Sequence, residues 1–332
     1  MVSRLRTWQV LLVISLLALA LSGCSGDPSL SALDPSGDNA KKQLDIIVWS
    51  FLVMLGVFIV VSTILIYVLI RFRKRKGVER TPSKSEGSWK AEVTWTVIPI
   101  ILLAILAVPT VTYTFDLSEV PNKEETVYIK VTGYQYWWEF EYPDLGIKTA
   151  QEMHIPVGKK VRIELHGKDV LHSFWVPALG GKTDVIPGRE NVMSLHADKA
   201  GVFQGKCAEL CGAGHALMDF KVYADSEQDF DKWVAKMQKA PVTTEADKKG
   251  EEVFKQNCMT CHAGVDPKYK GPDLSKFGTR DSIAGFLPHN EENLRAWLKD
   301  PESFKPGSLM PKIDYLSDEE FDALTQYLLD RK

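Results

Sequence analysis

The sequence predicts a multidomain chain: a two-span transmembrane helical hairpin, then an all-β domain, then a small all-α domain. Three observations carry this. Charge-free runs from Ile46 to Ile70 and from Val93 to Phe115 are long enough to cross about 30 Å of hydrocarbon as helices. From Glu124 onward the pattern changes to alternation, punctuated by Pro and Gly. Beyond residue 225, apolar side chains recur at helical spacing. A length of 332 residues also exceeds what one compact core usually organises. With 45% hydrophobic and 25% charged residues and a net charge of −3, the composition excludes a disordered chain, a collagen and a basic nucleic-acid-binding domain, so no nucleic acid is expected as a partner.

At the N-terminus, Arg4 and Arg6 precede an apolar stretch from Val10 to Leu21 that is too short to span a bilayer. A basic start, a short apolar run and small residues make a secretory signal over residues 1–23. Leu21-Ser22-Gly23-Cys24 resembles a bacterial lipoprotein cleavage box, which implies that Cys24 is acylated and anchors the chain in membrane lipid. The hairpin is expected within residues 24–120. Pro99 and Pro109 are tolerable in its second span, because neighbours in a bundle can satisfy the freed carbonyls. The basic run Arg71-Phe72-Arg73-Lys74-Arg75-Lys76 directly follows the first span, and the positive-inside rule makes it the cytoplasmic loop. Everything after about residue 116 is then on the extracellular side.

The all-β domain is expected over residues 121–225. Val127, Ile129 and Val131 alternate with polar neighbours, and Val161, Ile163 and Leu165 alternate with Arg162, Glu164 and His166, as half-buried strands do. Its chemistry lies in His172, within Asp169-Val170-Leu171-His172-Ser173, and in Cys207-x3-Cys211-x3-His215-x2-Met218. Two thiols, two imidazoles and a thioether are soft and borderline donors that suit copper, and Gly212 and Gly214 let one loop present several of them. A disulfide between Cys207 and Cys211 would leave both histidines unexplained. A tetrahedral zinc on the thiols and imidazoles would leave Met218 idle.

These segments, with Lys182-Thr183-Asp184-Val185-Ile186-Pro187-Gly188-Arg189, resemble the CuA domain of cytochrome c oxidase subunit II, a family that also has two N-terminal spans. The likeness covers roughly residues 40–225. It implies a cupredoxin-like barrel with two coppers bridged by Cys207 and Cys211 and completed by His172 and His215. Met218 and the Glu209 carbonyl would be the axial donors. It also implies that the Glu209 side chain faces a magnesium ion shared with subunit I, and that Glu92 lies at the mouth of a proton pathway, although a carboxylate there is equally a solvated helix end. In Gly133-Tyr134-Gln135-Tyr136-Trp137-Trp138, this chain has Tyr136 where the family usually has the tryptophan that receives electrons. Tyr136 and Trp137 are therefore the candidates for electron entry, and cross-strand packing is the competing reading of the same aromatics.

Residues 226–245 read as a helix followed by a linker, and residues 246–332 as the all-α domain. Its signature is Cys258-Met259-Thr260-Cys261-His262. In Cys-x-x-Cys-His the two thiols attach haem c covalently and the histidine reaches the iron. No strand of a βαβ unit precedes it, as a redox dithiol would need, and no further cysteine follows to complete a zinc site. Met310, in a proline-bounded loop, resembles the axial methionine of class I cytochromes c, with His289 as its competitor. Ser317-Asp318-Glu319-Glu320 is a capping box opening a helix with an apolar stripe at Phe321, Leu324 and Leu328.

The chain thus resembles a bacterial haem-copper oxidase subunit II with a fused cytochrome c, similar to the caa-type enzymes, set in the plasma membrane with both outer domains extracellular. The implied path runs from an external donor, a cytochrome c or an upstream respiratory complex, to haem c, to the dicopper centre, and on to oxidase subunit I among the other oxidase subunits. The two spans hold no histidine to bind haem, so oxygen reduction and proton pumping fall to subunit I. A CuA-bearing nitric oxide reductase is the alternative. A copper-delivery protein would not need the haem module, and a quinol oxidase subunit would lack the copper donors.

Overall fold

A computed structural model of the chain describes residues 8, 11–12, 14–16, 26–74, 77, 87–241, 247–262 and 271–332. Cys24 and its cleavage box, together with Arg75 and Lys76 of the basic run, lie outside the described residues.

The two apolar runs form helices α1 (Asp38–Phe72) and α2 (Trp89–Ser118), long and apolar enough to cross a membrane. Both are longer than the charge-free runs within them. Lys42 near the start of α1 pairs with Asp116 near the end of α2 at 3.1 Å, so the helices are antiparallel. Pro99 and Pro109 sit inside α2 without ending it. The first turn of α1 belongs to the next domain's surface: Asn39 Nδ2 donates to the Ser194 carbonyl at 3.0 Å, Ala40 is buried, and any Cβ on Gly37 would collide with the His196 carbonyl.

Ten strands follow: β1 (Tyr128–Tyr134), β2 (Trp137–Tyr142), β3 (Ile147–Ala150), β4 (Glu152–Pro156), β5 (Val161–Gly167), β6 (His172–Trp175), β7 (Thr183–Val185), β8 (Glu190–Leu195), β9 (Gly201–Cys207) and β10 (Asp219–Asp225). They form two five-stranded sheets, ordered β3-β2-β1-β5-β8 and β4-β10-β9-β6-β7, with parallel pairing of β1 to β5 and of β4 to β10. Between the sheets Trp138, Phe140, Phe174 and Phe220 are fully buried and meet at ring-centroid distances of 4.6 to 6.5 Å. The expected alternation holds in β10 but fails in β5, where Glu164 is buried on the face expected to be polar. It is paid for by Lys123 at 2.7 Å, Arg162 at 3.2 Å and the Tyr128 hydroxyl at 2.6 Å, and these contacts hold its carboxyl below the usual range despite burial.

Helix α3 (Glu227–Gln238) is capped by Ser226 and returns to this sandwich, where Trp233 stacks on His154 at 4.3 Å. The helical part of residues 226–245 therefore packs on the β domain, which leaves a shorter connection to the next one.

The last domain contains α4 (Lys248–Asn257), α5 (Met259–His262), a short ribbon of β11 (Ser282–Ile283) and β12 (Leu287–Pro288), then α6 (Glu291–Lys299), α7 (Pro301–Phe304) and α8 (Asp318–Asp330). The Ser317–Glu320 capping box is formed, and Phe321, Leu324 and Leu328 are buried as the stripe predicts. Helices α4 and α8 cross at Gly250, where a Cβ would lie against the Ala323 carbonyl and within 2.5 Å of Tyr327 Cβ. Alanine normally gains about 1 kcal/mol over glycine within a helix, but forcing an atom into a packed crossing costs about 1–3 kcal/mol. Gly250→Ala is expected to destabilise this domain by up to about 2 kcal/mol net, seen as a lowered thermal midpoint of the purified chain. A raised midpoint would mean that the helices do not cross there.

Candidate functional site

Two sites emerge, one in each outer domain. The first is made at one end of the sandwich by strand pairing. Strands β6 and β9 are antiparallel with Phe174 opposite Cys207, so the first residue of β6, His172, lies beside the last of β9. The chain then turns through Gly212, whose φ of 131° excludes ordinary side chains, and brings Cys211, His215 and Met218 back to the same point.

Every sulfur and imidazole donor expected from the sequence is present there. Cys207 Sγ lies 3.8 Å from His172 Nδ1, 3.8 Å from Cys211 Sγ and 3.3 Å from the Glu209 carbonyl. Cys211 Sγ lies 3.6 Å from His215 Nδ1 and 3.8 Å from Met218 Sδ. Each thiol thus has its own imidazole and its own weaker donor. The thiols are free, far beyond the roughly 2.05 Å of a disulfide, so the disulfide reading is excluded. They ionise unequally: the Cys211 thiol's hydrogen bond, aided by His172, holds Cys207 well below the ordinary range, and Cys211 is pushed up correspondingly. His172, Cys207 and Cys211 offer donor atoms within 4.8 Å of one another, all buried, and such a soft set fits copper.

His172 is completely buried, and its Nε2 meets Asp169 Oδ1 at 2.9 Å. Burial disfavours its cation, yet the bonds to Asp169 and Cys207 outweigh this and raise its pKa. With Nε2 on the carboxylate, Nδ1 is directed at the thiols. Asp169 had no assigned role in the sequence; its only signal was its place three residues before a candidate ligand.

The second site is a cavity of about 630 Å³, lined by Cys258, Cys261, His262 and Met310 and closed by apolar side chains such as Trp297 and Leu298. His262 Nδ1 donates to the Pro272 carbonyl at 2.8 Å, which leaves Nε2 with its lone pair. Burial lowers the pKa of His262 and keeps it neutral, as a metal ligand must be. The ring leaves no room at Gly271, where a Cβ would be 2.8 Å from it. Two thiols, a neutral imidazole and a thioether around an apolar cavity fit haem c. His289 does not line this cavity; its ring lies 4.8 Å from that of Phe277.

Tyr134, Tyr136 and Trp137 form part of the same cavity wall although they belong to the β domain. Trp137 stacks on Tyr134 at 4.4 Å. Tyr136 is buried between the sites: a Cβ on Gly212 or Gly214 would strike its ring from the copper-donor loop, and one on Gly307 from the other domain. The Glu209 carboxylate points outward, partly exposed, 4.0 Å from Lys182 Nζ. Glu92 is exposed in the first turn of α2, apart from both sites.

Comparison with known proteins finds the same family along most of the chain. The profile of the cytochrome C oxidase subunit II transmembrane domain matches residues 31–112, that of its periplasmic domain residues 145–224, and the cytochrome c profile residues 248–332. The chain is similar to cytochrome c oxidase subunit 2 of Alkalihalophilus pseudofirmus, at 49% identity over 326 residues covering 96% of this chain and 95% of that protein. It is also similar to the protein of the same name from Bacillus sp. (strain PS3), at 48% identity over 349 residues and 98% of each chain. Among solved structures, the periplasmic domain of subunit II of cytochrome oxidase of Bradyrhizobium japonicum is 37% identical, covering 36% of this chain and 97% of that one with a TM-score of 0.34.

Losing an outer-shell partner of a metal-bound histidine typically weakens metal binding about 10–100-fold. Asp169→Ala is expected to reduce copper affinity by that factor in a titration of the purified chain, and an unchanged affinity would remove His172 from the ligand set.

Proposed function

The chain belongs to the cytochrome c oxidase subunit II family, and we propose that it carries electrons from covalently held haem c through a dinuclear CuA centre to subunit I, where oxygen is reduced to water with proton pumping. The observation that carries this reading is the position of Tyr136, which contributes to the wall of the Cys258–Cys261–His262–Met310 cavity and also packs on the loop bearing Cys211. Tyr136 therefore lies between the two donor sets.

When bound, haem c and the two coppers supply one-electron storage, shared in the copper pair over two ions. The residues prepare for this. Cys207 and Cys211, each with its own imidazole, would hold the coppers together with Met218 and the Glu209 carbonyl as weaker donors. Asp169 fixes the tautomer of His172, and the Pro272 carbonyl does the same for His262, so each ring is already oriented toward the donor set it would serve. Cys258 and Cys261 would attach the haem, and Met310 would hold its iron opposite His262.

The outward Glu209 carboxylate is suited to a magnesium ion at the subunit I interface, and Glu92 at the cytoplasmic end of α2 to the mouth of a proton pathway. The helical pair sets the chain in the bacterial plasma membrane with both outer domains extracellular, and Cys24 adds the lipid anchor. The donor is a soluble cytochrome c or an upstream respiratory complex.

The chain purified apart from subunit I is expected to hold two coppers by elemental analysis, and the intact membrane complex is expected to consume oxygen. One copper per chain would defeat the dinuclear site, and nitric oxide consumption without oxygen consumption would reassign the chain to a reductase. Cys261→Ser is expected to abolish haem that survives acid-acetone extraction. Met310→Leu should leave the haem attached but lower its midpoint potential in a redox titration, because a thioether ligand raises it. An unchanged potential would remove Met310 from the iron.

A further inference from the structure

The haem-binding domain rests on the β domain through buried polar groups supplied by both. Glu152, at the start of strand β4, is 5% exposed, and its carboxylate Oε1 accepts from the Asp281 amide at 2.8 Å, the Ser282 amide at 3.1 Å and the Ser282 hydroxyl at 3.3 Å. Lys305, from the other side, is 4% exposed, and its Nζ donates to the Ala284 carbonyl at 2.7 Å and the Tyr136 carbonyl at 3.0 Å. Burial pushes the Lys305 ammonium down to about 7, against the pull of Asp219 and Cys211, and pushes the Glu152 carboxyl upward, against the nearby Arg280. Charged groups are almost never this buried unless partners satisfy them. All the hydrogen-bond partners of Glu152 named here lie in the opposite domain, as does one of the two acceptors of Lys305.

A second observation points the same way. Gln151 and Ala284 are the non-glycine residues with positive φ among the described residues, at 65° and 54°. They meet across this interface, Gln151 Nε2 donating to the Ala284 carbonyl at 3.2 Å. Such backbone conformations persist only where the surroundings enforce them. Gly285 completes the approach, since a Cβ there would be 2.5 Å from the Asp219 carbonyl.

We propose that Glu152 and Lys305 are positioning residues for the interdomain electron step: together they form a buried polar clasp that holds the haem cavity permanently against Tyr136. This rests on the reading of the two sites as haem c and CuA. The clasp is shielded from counterions, so transfer across it is first-order and independent of ionic strength. A tethered domain that docks through exposed charges would instead transfer more slowly as salt is added.

The test uses the intact oxidase complex and the variants Glu152→Ala, Glu152→Gln, Lys305→Met and the Glu152→Ala/Lys305→Met pair. Hydrogen exchange reads docking, and rapid photoreduction of the haem reads transfer to copper. In the unmodified complex the Asp281 and Ser282 amides should be protected and transfer should not depend on salt. Glu152→Ala should lower protection at those two amides by about tenfold or more, because buried donors lose their acceptor, while amides of α8 stay protected. Glu152→Gln, which keeps one acceptor oxygen, should lower it less. The paired variant should slow transfer by about tenfold or more and make it salt-dependent, with haem and copper contents and their midpoint potentials unchanged. Full exchange at 281 and 282 in the unmodified complex, or unaltered, salt-independent transfer in the paired variant, would overturn the clasp. Absence of covalent haem or of copper from the unmodified complex would instead overturn the assignment of the sites.

Discussion

The pairing of β6 with β9 is the constraint on which the copper-donor site depends. It sets His172 against Cys207 across 35 positions of chain, and only then can the loop through Gly212 return Cys211, His215 and Met218 to the same place. The pairing is secured from beneath by Phe174, which lies opposite Cys207 in register and stacks on Phe220 of β10 at 4.6 Å. Metal donors at a sandwich end are thus placed by the aromatic core, and the loop supplies reach without having to supply rigidity.

The two sites solve one chemical problem in parallel. An imidazole that binds metal must be neutral and offer a lone pair from a chosen nitrogen. At His172 the other nitrogen is held by a carboxylate three residues earlier; at His262 it is held by a carbonyl ten residues later. The carboxylate partner raises the basicity of its ring, whereas the carbonyl partner leaves burial dominant and lowers it. The ring of His172 is thereby the more basic of the two.

The spans, the alternating strands, the capping box and every sulfur and imidazole donor could be read from sequence, because each is a local pattern: period, spacing or residue type. What could not be read depends on contacts distant in the chain. The burial of Glu164 on a face expected to be polar follows from Lys123, which the strand period does not encode. The choice between Met310 and His289 was open on residue type, and of the two only Met310 lines the cavity. Asp169 had no role readable in the sequence, since orienting a ring requires only an oxygen at the right place. Glu152 and Lys305 were hidden for the same reason: an ordinary surface residue type becomes informative only once it is found buried against another domain.

The aromatic segment shows how neighbouring residues divide between packing and function. Trp138 points between the sheets and is pure core, with its ring at 5.6 Å from Phe220 and 5.9 Å from His172. Trp137, one residue earlier, must face the opposite side of the strand, where it stacks on Tyr134 and joins the cavity wall. Tyr136 precedes the strand and so escapes the alternation altogether. Its ring is enclosed by three glycines, Gly212 and Gly214 from one domain and Gly307 from the other, and a side chain on any of them would push it away. A larger indole at position 136 would meet the same three backbones. Tyr136 is thus a ring that fits between two domains of one chain.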